Sequence, residues 1–237
     1  MPRNTRRPLR LTERHVSLVQ PELISEEMPP ASEGLLRASI DDHLATWQAL
    51  KTRPNAPDDI WVFAYGSLIW NPAFAFTDQR IGLVRGWHRA FCLGWNTRWR
   101  GSDENPGLML ALDRGGSARG MLYRLPMDAI EDNIVTLFER EMAFKPSAFP
   151  PRWVNVETES GICRALTFCI DRNSGRYVSG LTPHEVAQVL ARARGTRGSM
   201  AEYLYATVQH LEALGLHDSH LWELEQLVAE HIERDHA

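Results

Sequence analysis

Two features of this chain could do chemistry: the stretch Tyr65-Gly66-Ser67-Leu68 and the carboxylate of Glu141. The first follows Trp61-Val62-Phe63-Ala64, an apolar run too short for a globular helix and rich in β-branched and aromatic residues, which reads as a buried strand. The run breaks at Gly66-Ser67, where glycine can take a backbone angle closed to other residues. A strand ending in such a turn can leave the N–H groups of Gly66, Ser67 and Leu68 unpaired and aimed one way, a nest for an anion or a polarised carbonyl oxygen. Tyr65, at the strand mouth, could add a hydroxyl donor. The plainer reading is a strand, a turn and a second apolar segment, with Tyr65 in the core.

Glu141 stands out by position. The spacing predicts a helix over 128–144 with the apolar stripe Ile130, Ile134, Leu137 and Phe138. One turn further along that stripe comes Glu141, whereas Glu139 and Arg140 fall on other faces. A carboxylate on a core-facing stripe loses hydration, which raises its pKa and suits it to proton transfer near neutral pH. The alternative is a rim glutamate paired with an arginine. The catalytic reading requires Glu141 and the Gly66-Ser67 turn to face one pocket.

The elements that must position these groups are short strands and flanking helices. Strands are predicted over 60–65, 79–84, 87–93, 108–112, 118–125, 153–157 and 162–170, with hairpins at Gly115-Gly116 and Ser160-Gly161. Such texture suggests a small barrel or a strongly curled sheet, and with the helices the expected class is α+β, a small curled mixed β-barrel with flanking helices. The polar, Gly/Pro-rich stretch 99–107 reads as a loop able to cover a pocket. Capping-box patterns open helices at Thr182 and at Ser199, the second running to Leu214, and a last helix spans about 219–233. Ahead of these, residues 1 to about 32 read as a loose arm. Leu36, Ile40, Leu44, Trp47 and Leu50 form the apolar face of an amphipathic helix, followed by a proline-bearing linker. The expected division is 1–59 as an N-terminal extension and 60–237 as the catalytic domain.

Composition narrows the function. A net charge of −4 over 237 residues argues against a general nucleic-acid binder. Cys92, Cys163 and Cys169 are too few and too scattered for a disulfide framework or a zinc site, and the last two read as core thiols. No apolar stretch follows the basic residues 1–10, and none approaches membrane-spanning length, so a soluble cytoplasmic protein is expected. Ser67 lacks the Gly-x-Ser-x-Gly elbow of a serine hydrolase. His210, His217 and His220 form no metal-ligand motif, and Arg194-Gly195-Thr196-Arg197-Gly198 lacks the Lys-Ser/Thr of a phosphate loop. Trp87, Trp95 and Trp99 read as core and pocket lining, and Glu202 as part of its capping box.

Phe63-Ala64-Tyr65-Gly66-Ser67-Leu68-Ile69-Trp70-Asn71-Pro72, together with Arg140-Glu141-Met142, resembles the bacterial ChaC-like γ-glutamylcyclotransferases. The resemblance continues through Gly86-Trp87-His88-Arg89-Ala90-Phe91-Cys92-Leu93, Arg100-Gly101, Pro106-Gly107, Gly115-Gly116, Tyr123-Arg124-Leu125-Pro126 and Glu202-Tyr203-Leu204, roughly residues 60 to 215. It implies cleavage of glutathione to 5-oxoproline and cysteinylglycine. It implies a γ-glutamyl-binding loop at Ala64, Tyr65, Gly66, Ser67, Leu68 and Ile69, Glu141 as acid/base, and Tyr203 bordering the substrate. Alternatives are a cyclotransferase for other γ-glutamyl amino acids or amines, and a non-catalytic γ-glutamyl-binding or transport-regulating module. The chain departs from the family pattern at Ala143 to Pro151, in place of a short Gly-Tyr stretch, and at Met200, where an Asn is common. Both departures bear on the pocket wall.

The implied reaction carries its own nucleophile. The substrate α-amine closes on its γ-carbonyl, so intramolecular attack removes much of the entropic barrier and no serine or cysteine is needed. The α-ammonium, with a free pKa of about 8, must lose a proton, the oxyanion must be stabilised and the leaving amine must gain a proton. No step calls for a metal or an organic cofactor.

Overall fold

The computed structural model describes residues 8–21 and 34–237. In chain order the elements are α1 (Glu13–Leu18), β1 (Leu36–Arg37), α2 (Ile40–Lys51), β2 (Trp61–Ala64), β3 (Asp78–Asn96), β4 (Gly107–Arg124), α3 (Ile130–Glu141), β5 (Phe144–Lys145), β6 (Pro151–Thr158), β7 (Gly161–Phe168), α4 (Pro183–Arg192), β8 (Arg194–Gly195), β9 (Gly198–Ser199), α5 (Met200–Ala213) and α6 (Ser219–Asp235). Five strands close a barrel in the order β2-β4-β3-β6-β7. Its pairs are antiparallel except β2 with β7, which are parallel at Val62 and Leu166. The mixed barrel with flanking helices is therefore as the sequence predicts.

The strand count is where the sequence misleads. Four of the expected short strands merge into the two long strands β3 and β4, which pair from Asp78↔Arg124 to Asn96↔Gly107. Gly115-Gly116 is no hairpin; it lies inside β4 opposite the irregularity between Arg85 and Trp87. Gly86, Gly115 and Gly116 all take positive φ, at 79°, 105° and 60°. Glycines there bend the ribbon so that it curls into the barrel instead of reversing it. The chain reversal falls in the loop between Asn96 and Gly107. Ser160-Gly161 does turn the β6–β7 hairpin, with Thr158 opposite Gly161.

The core runs through the barrel and under the helices, with Phe63, Leu112, Leu122, Ile134, Leu137 and Phe138 essentially sealed. The α2 stripe is rotated from the expected one: His43, Trp47 and Leu50 face inward, whereas Leu36 and Ile40 are exposed. Leu36 belongs instead to β1, which pairs with β5. Trp47 tilts against Trp153, whose indole N–H donates to the Leu50 carbonyl at 3.0 Å. Part of the stretch read as a loose arm is a docked helix: the Arg10 and Leu11 amides donate to Glu225 Oε2 at 2.9 and 2.8 Å, and Leu11 and Val19 join the core. The rest of that arm, 1–7 and 22–33, lies outside the described residues. Among the described residues no helix is long and apolar enough to cross a membrane, and no three His, Cys, Asp or Glu side chains gather as a metal site.

Candidate active site

The Tyr65–Leu68 stretch lies at the mouth of β2, where the chain leaves the barrel and enters a short 3-10 turn over Ser67–Ile69. The turn is held by Ile69 N–H on Gly66 O at 2.9 Å and Asn71 N–H on Ser67 O at 2.8 Å. Being at its start, the Gly66, Ser67 and Leu68 amides donate to no backbone oxygen among the described residues. Gly66 sits at φ −138°, so glycine is not required there by a left-handed backbone. Proximity favours it: a Cβ at Gly66 would stand 3.0 Å from Tyr203 Oη and 3.4 Å from Leu110 Cδ2, so the phenol would have to give by a few tenths of an ångström. Ser67, through its amide and hydroxyl, acts against the rise in the pKa of the Tyr203 phenol.

Glu141 ends α3, one turn beyond the sealed Leu137 and Phe138. Its side chain keeps 16% exposure and lines the same cavity of about 600 Å³ as Tyr65, Gly66, Ser67, Leu68 and Tyr203. Burial pushes its pKa up to about 7, opposed by the neighbouring Arg140 charge. Its place at a helix C-terminus, where the backbone dipole presents negative charge, acts in the same direction as burial. The condition set by the sequence is met, because acid and turn share one pocket. Tyr65 and Tyr203 are buried phenols raised above their ordinary range by desolvation and then by the Glu141 charge, so both hold their protons at neutral pH.

Two of the expected loop residues do not reach the cavity. Ala64 is sealed in β2, paired with Met121. Ile69 turns away, its carbonyl accepting from the Tyr123 hydroxyl at 3.1 Å. Both hold the turn in place. The buried Arg89 of β3 does so from beneath: Nε donates to Tyr65 O at 2.6 Å, Nη2 to Arg119 O, and Nη1 to Asp218 Oδ2 at 2.9 Å. Asp218 in turn caps α6 by accepting from the Leu221 amide.

The arginines are what the sequence reading missed. Arg140, assigned there to another face, reaches back to the turn: Nη2 donates to Ser67 Oγ at 3.1 Å and Nη1 to Asn71 O, while Nε lies 3.4 Å from Glu141 Oε1. Arg100 lies over the Tyr203 ring at 5.2 Å and donates to Ser199 O and Glu202 Oε2. That pairing corrects the expected second capping box, since Ser199 Oγ accepts from the Glu202 amide but the Glu202 carboxylate goes to Arg100. Arg194–Gly198 lies in the β8–β9 hairpin, which brings Arg197 to the cavity wall over Trp99. Arg176 completes the set. The only signal that could have found these in the sequence is the near-absence of lysine, with Lys51 and Lys145 its two occurrences.

Other expectations sort by position. Trp99 lines the cavity, but Trp95 is 48% exposed. Cys169 is a core thiol, whereas Cys163 is only half-buried. Of the departures from the family pattern, Ala143, Phe144, Ser147, Ala148 and Phe149 do form the wall. Met200 is buried beneath Gly107 and does not.

The model of the ChaC-like protein family matches residues 60–231. The chain is 39% identical over 171 residues to a glutathione-specific gamma-glutamylcyclotransferase of Escherichia coli (strain K12), covering 71% of this chain and 73% of that one. It is 34% identical over 176 residues to glutathione-specific gamma-glutamylcyclotransferase 1 of Mus musculus, covering 70% and 76%. The crystal structure of a selenomethionine-labelled yeast gamma-glutamyl cyclotransferase specific to glutathione superposes with a TM-score of 0.67 at 20% identity, over 76% of this chain and all of that one, which shows the fold. This chain belongs to the ChaC-like family.

Proposed function

We propose that the chain is a glutathione-specific γ-glutamylcyclotransferase with Glu141 as its acid/base. The observation that carries this reading is a carboxylate with a pKa of about 7 opening onto the cavity that the Gly66–Leu68 turn also lines. A carboxylate at that pKa is half ionised at neutral pH, which suits both taking and returning a proton.

In this reading the substrate α-carboxylate docks against the Gly66 and Leu68 amides and the Arg140 guanidinium, a cationic cup for a carboxylate. The α-ammonium gives a proton to Glu141. The freed amine attacks its own γ-carbonyl carbon, forming the lactam C–N bond and placing negative charge on oxygen, toward which the protonated phenols of Tyr65 and Tyr203 offer donors. As the bond to the cysteinyl nitrogen breaks, Glu141 returns its proton to that nitrogen, and the ring nitrogen sheds its remaining extra proton, which ends on the released amine as its ammonium form. No water is consumed, and the products are 5-oxoproline and cysteinylglycine. The family match over residues 60–231 supports 60–237 as the catalytic unit, with 1–59 as an extension whose described residues include Leu11, Val19, Trp47 and Leu50 packed into the core.

The test is product identity. Purified protein incubated with glutathione should release 5-oxoproline and cysteinylglycine in equal amounts by mass spectrometry. Release of free glutamate and cysteinylglycine would mean hydrolysis and would overturn the reading.

A further inference from the structure

The arginines on the cavity wall are not equivalent. Arg140 lies against Glu141, Arg100 pairs with Glu202, and Arg197 lies over Trp99. Arg176 has no carboxylate partner among the described residues. Its Nε donates to Gly94 O at 3.3 Å, which leaves the two terminal nitrogens of its fork to face other groups. Its backbone is fixed: the Arg176 carbonyl accepts from Gly94 N–H at 2.9 Å, and its own amide donates to Ser174 Oγ at 3.2 Å. Burial lowers its pKa, with no neighbouring carboxylate opposing the shift as Asp218 does at Arg89 and Glu202 at Arg100. Arg140 is the charged group that moves Glu141, whereas burial alone moves Arg176.

The geometry points to Arg176 as the residue that binds the terminal carboxylate of the peptide leaving group, so that the cavity measures a γ-glutamyl dipeptide from both ends. The inference rests on the glutathione reading above. A cysteinylglycine tail extends about 7 Å past the scissile bond and ends in a carboxylate. A guanidinium fork matches a carboxylate in bidentate fashion, and a lysine at the same place would not. The Arg140 end would then read the γ-glutamyl group and the Arg176 end the peptide's terminus. A γ-glutamyl amine, which lacks that terminus, would leave Arg176 unsatisfied.

Steady-state kinetics on glutathione and on its C-terminal amide test this, using the full chain and its Arg176→Gln and Arg176→Lys variants, with 5-oxoproline as the readout. The wild-type protein should favour glutathione over the amide by about tenfold or more, through KM. Arg176→Gln should raise KM for glutathione by about that factor, leave kcat within a few-fold and erase the preference. Arg176→Lys should restore part of it, with unchanged thermal melting. A Gln variant keeping the wild-type preference, or a wild-type protein indifferent to the amide, would overturn the assignment. No 5-oxoproline from either substrate with the wild-type protein would overturn the glutathione reading itself, and the assignment with it.

Discussion

Arg140 Nε lies 3.4 Å from Glu141 Oε1 although the two are consecutive in the chain. Consecutive residues on a helix point about 100° apart and do not ordinarily meet. They meet here because the long Arg140 side chain folds back along the last turn of α3, which stops at Glu141. The same guanidinium reaches Ser67 and Asn71, so one cation joins the acid to the turn. Burial raises the Glu141 pKa and Arg140 restrains the rise, and the balance falls near neutrality.

That balance predicts the pH profile. A base with a pKa of about 7 is protonated, and idle, below it. The kcat/KM for glutathione should therefore climb through an acid limb centred near pH 7 in the free enzyme. Removing the positive charge in Arg140→Met should move that limb to higher pH. A limb near pH 4.5 in the wild-type protein would contradict the buried acid.

Stability should move the opposite way from the usual carboxylate. The folded pKa of Glu141 is raised from 4.5 to about 7, so folding favours the protonated form. The stabilisation is complete below about pH 4.5 and is lost as pH rises through 7. Glu141→Gln carries no such penalty. In denaturant unfolding it should exceed the wild-type protein by about 3 kcal/mol above pH 7.5, with the gap closing toward pH 4.5. A gap independent of pH would count against the account.

Gly66→Ala tests the contact between the turn and α5. The added methyl would meet Tyr203 Oη at 3.0 Å. Displacing either group should lower kcat/KM by about 10- to 100-fold with the fold retained. The stability cost should shrink in a Tyr203→Phe background, where the hydroxyl is gone. Equal costs in both backgrounds would show that the phenol is not what the methyl strikes.

Arg89→Met should be the costliest of these changes to the fold. It leaves Asp218 without its cation and the carbonyls of Tyr65 and Arg119 without their donor, all at a side chain only 2% exposed. A loss of about 3–5 kcal/mol is expected in chemical denaturation. Because the Tyr65 carbonyl adjoins the turn, turnover should fall as well, even well below the melting temperature.

The barrel, the turn and the acid were legible because each leaves a local mark: a short apolar run stopped by Gly66-Ser67, and a helical stripe that ends on Glu141. What stayed hidden depends on pairing across the chain. Gly115-Gly116 reads as a hairpin from its neighbours alone. It becomes a bend only because β3 brings Gly86 opposite it. His43 is buried on α2 beside Trp47, whereas Ile40, the first residue of the helix, is exposed, and Leu36 lies in β1 paired with β5. Arg140 was set aside by helical periodicity, which fixes where a side chain leaves the helix but not how far a long guanidinium reaches from there. Arg176 and Arg197 reach the cavity through contacts with Gly94, Arg98 and Trp99 that no spacing rule encodes.

The most direct test is 5-oxoproline release from glutathione by Glu141→Gln beside the wild-type protein, with circular dichroism and thermal melting measured on both. The variant should be folded and at least as stable near neutral pH, yet slower by about 100- to 10,000-fold. A folded Glu141→Gln protein that releases 5-oxoproline at the wild-type rate would contradict the account.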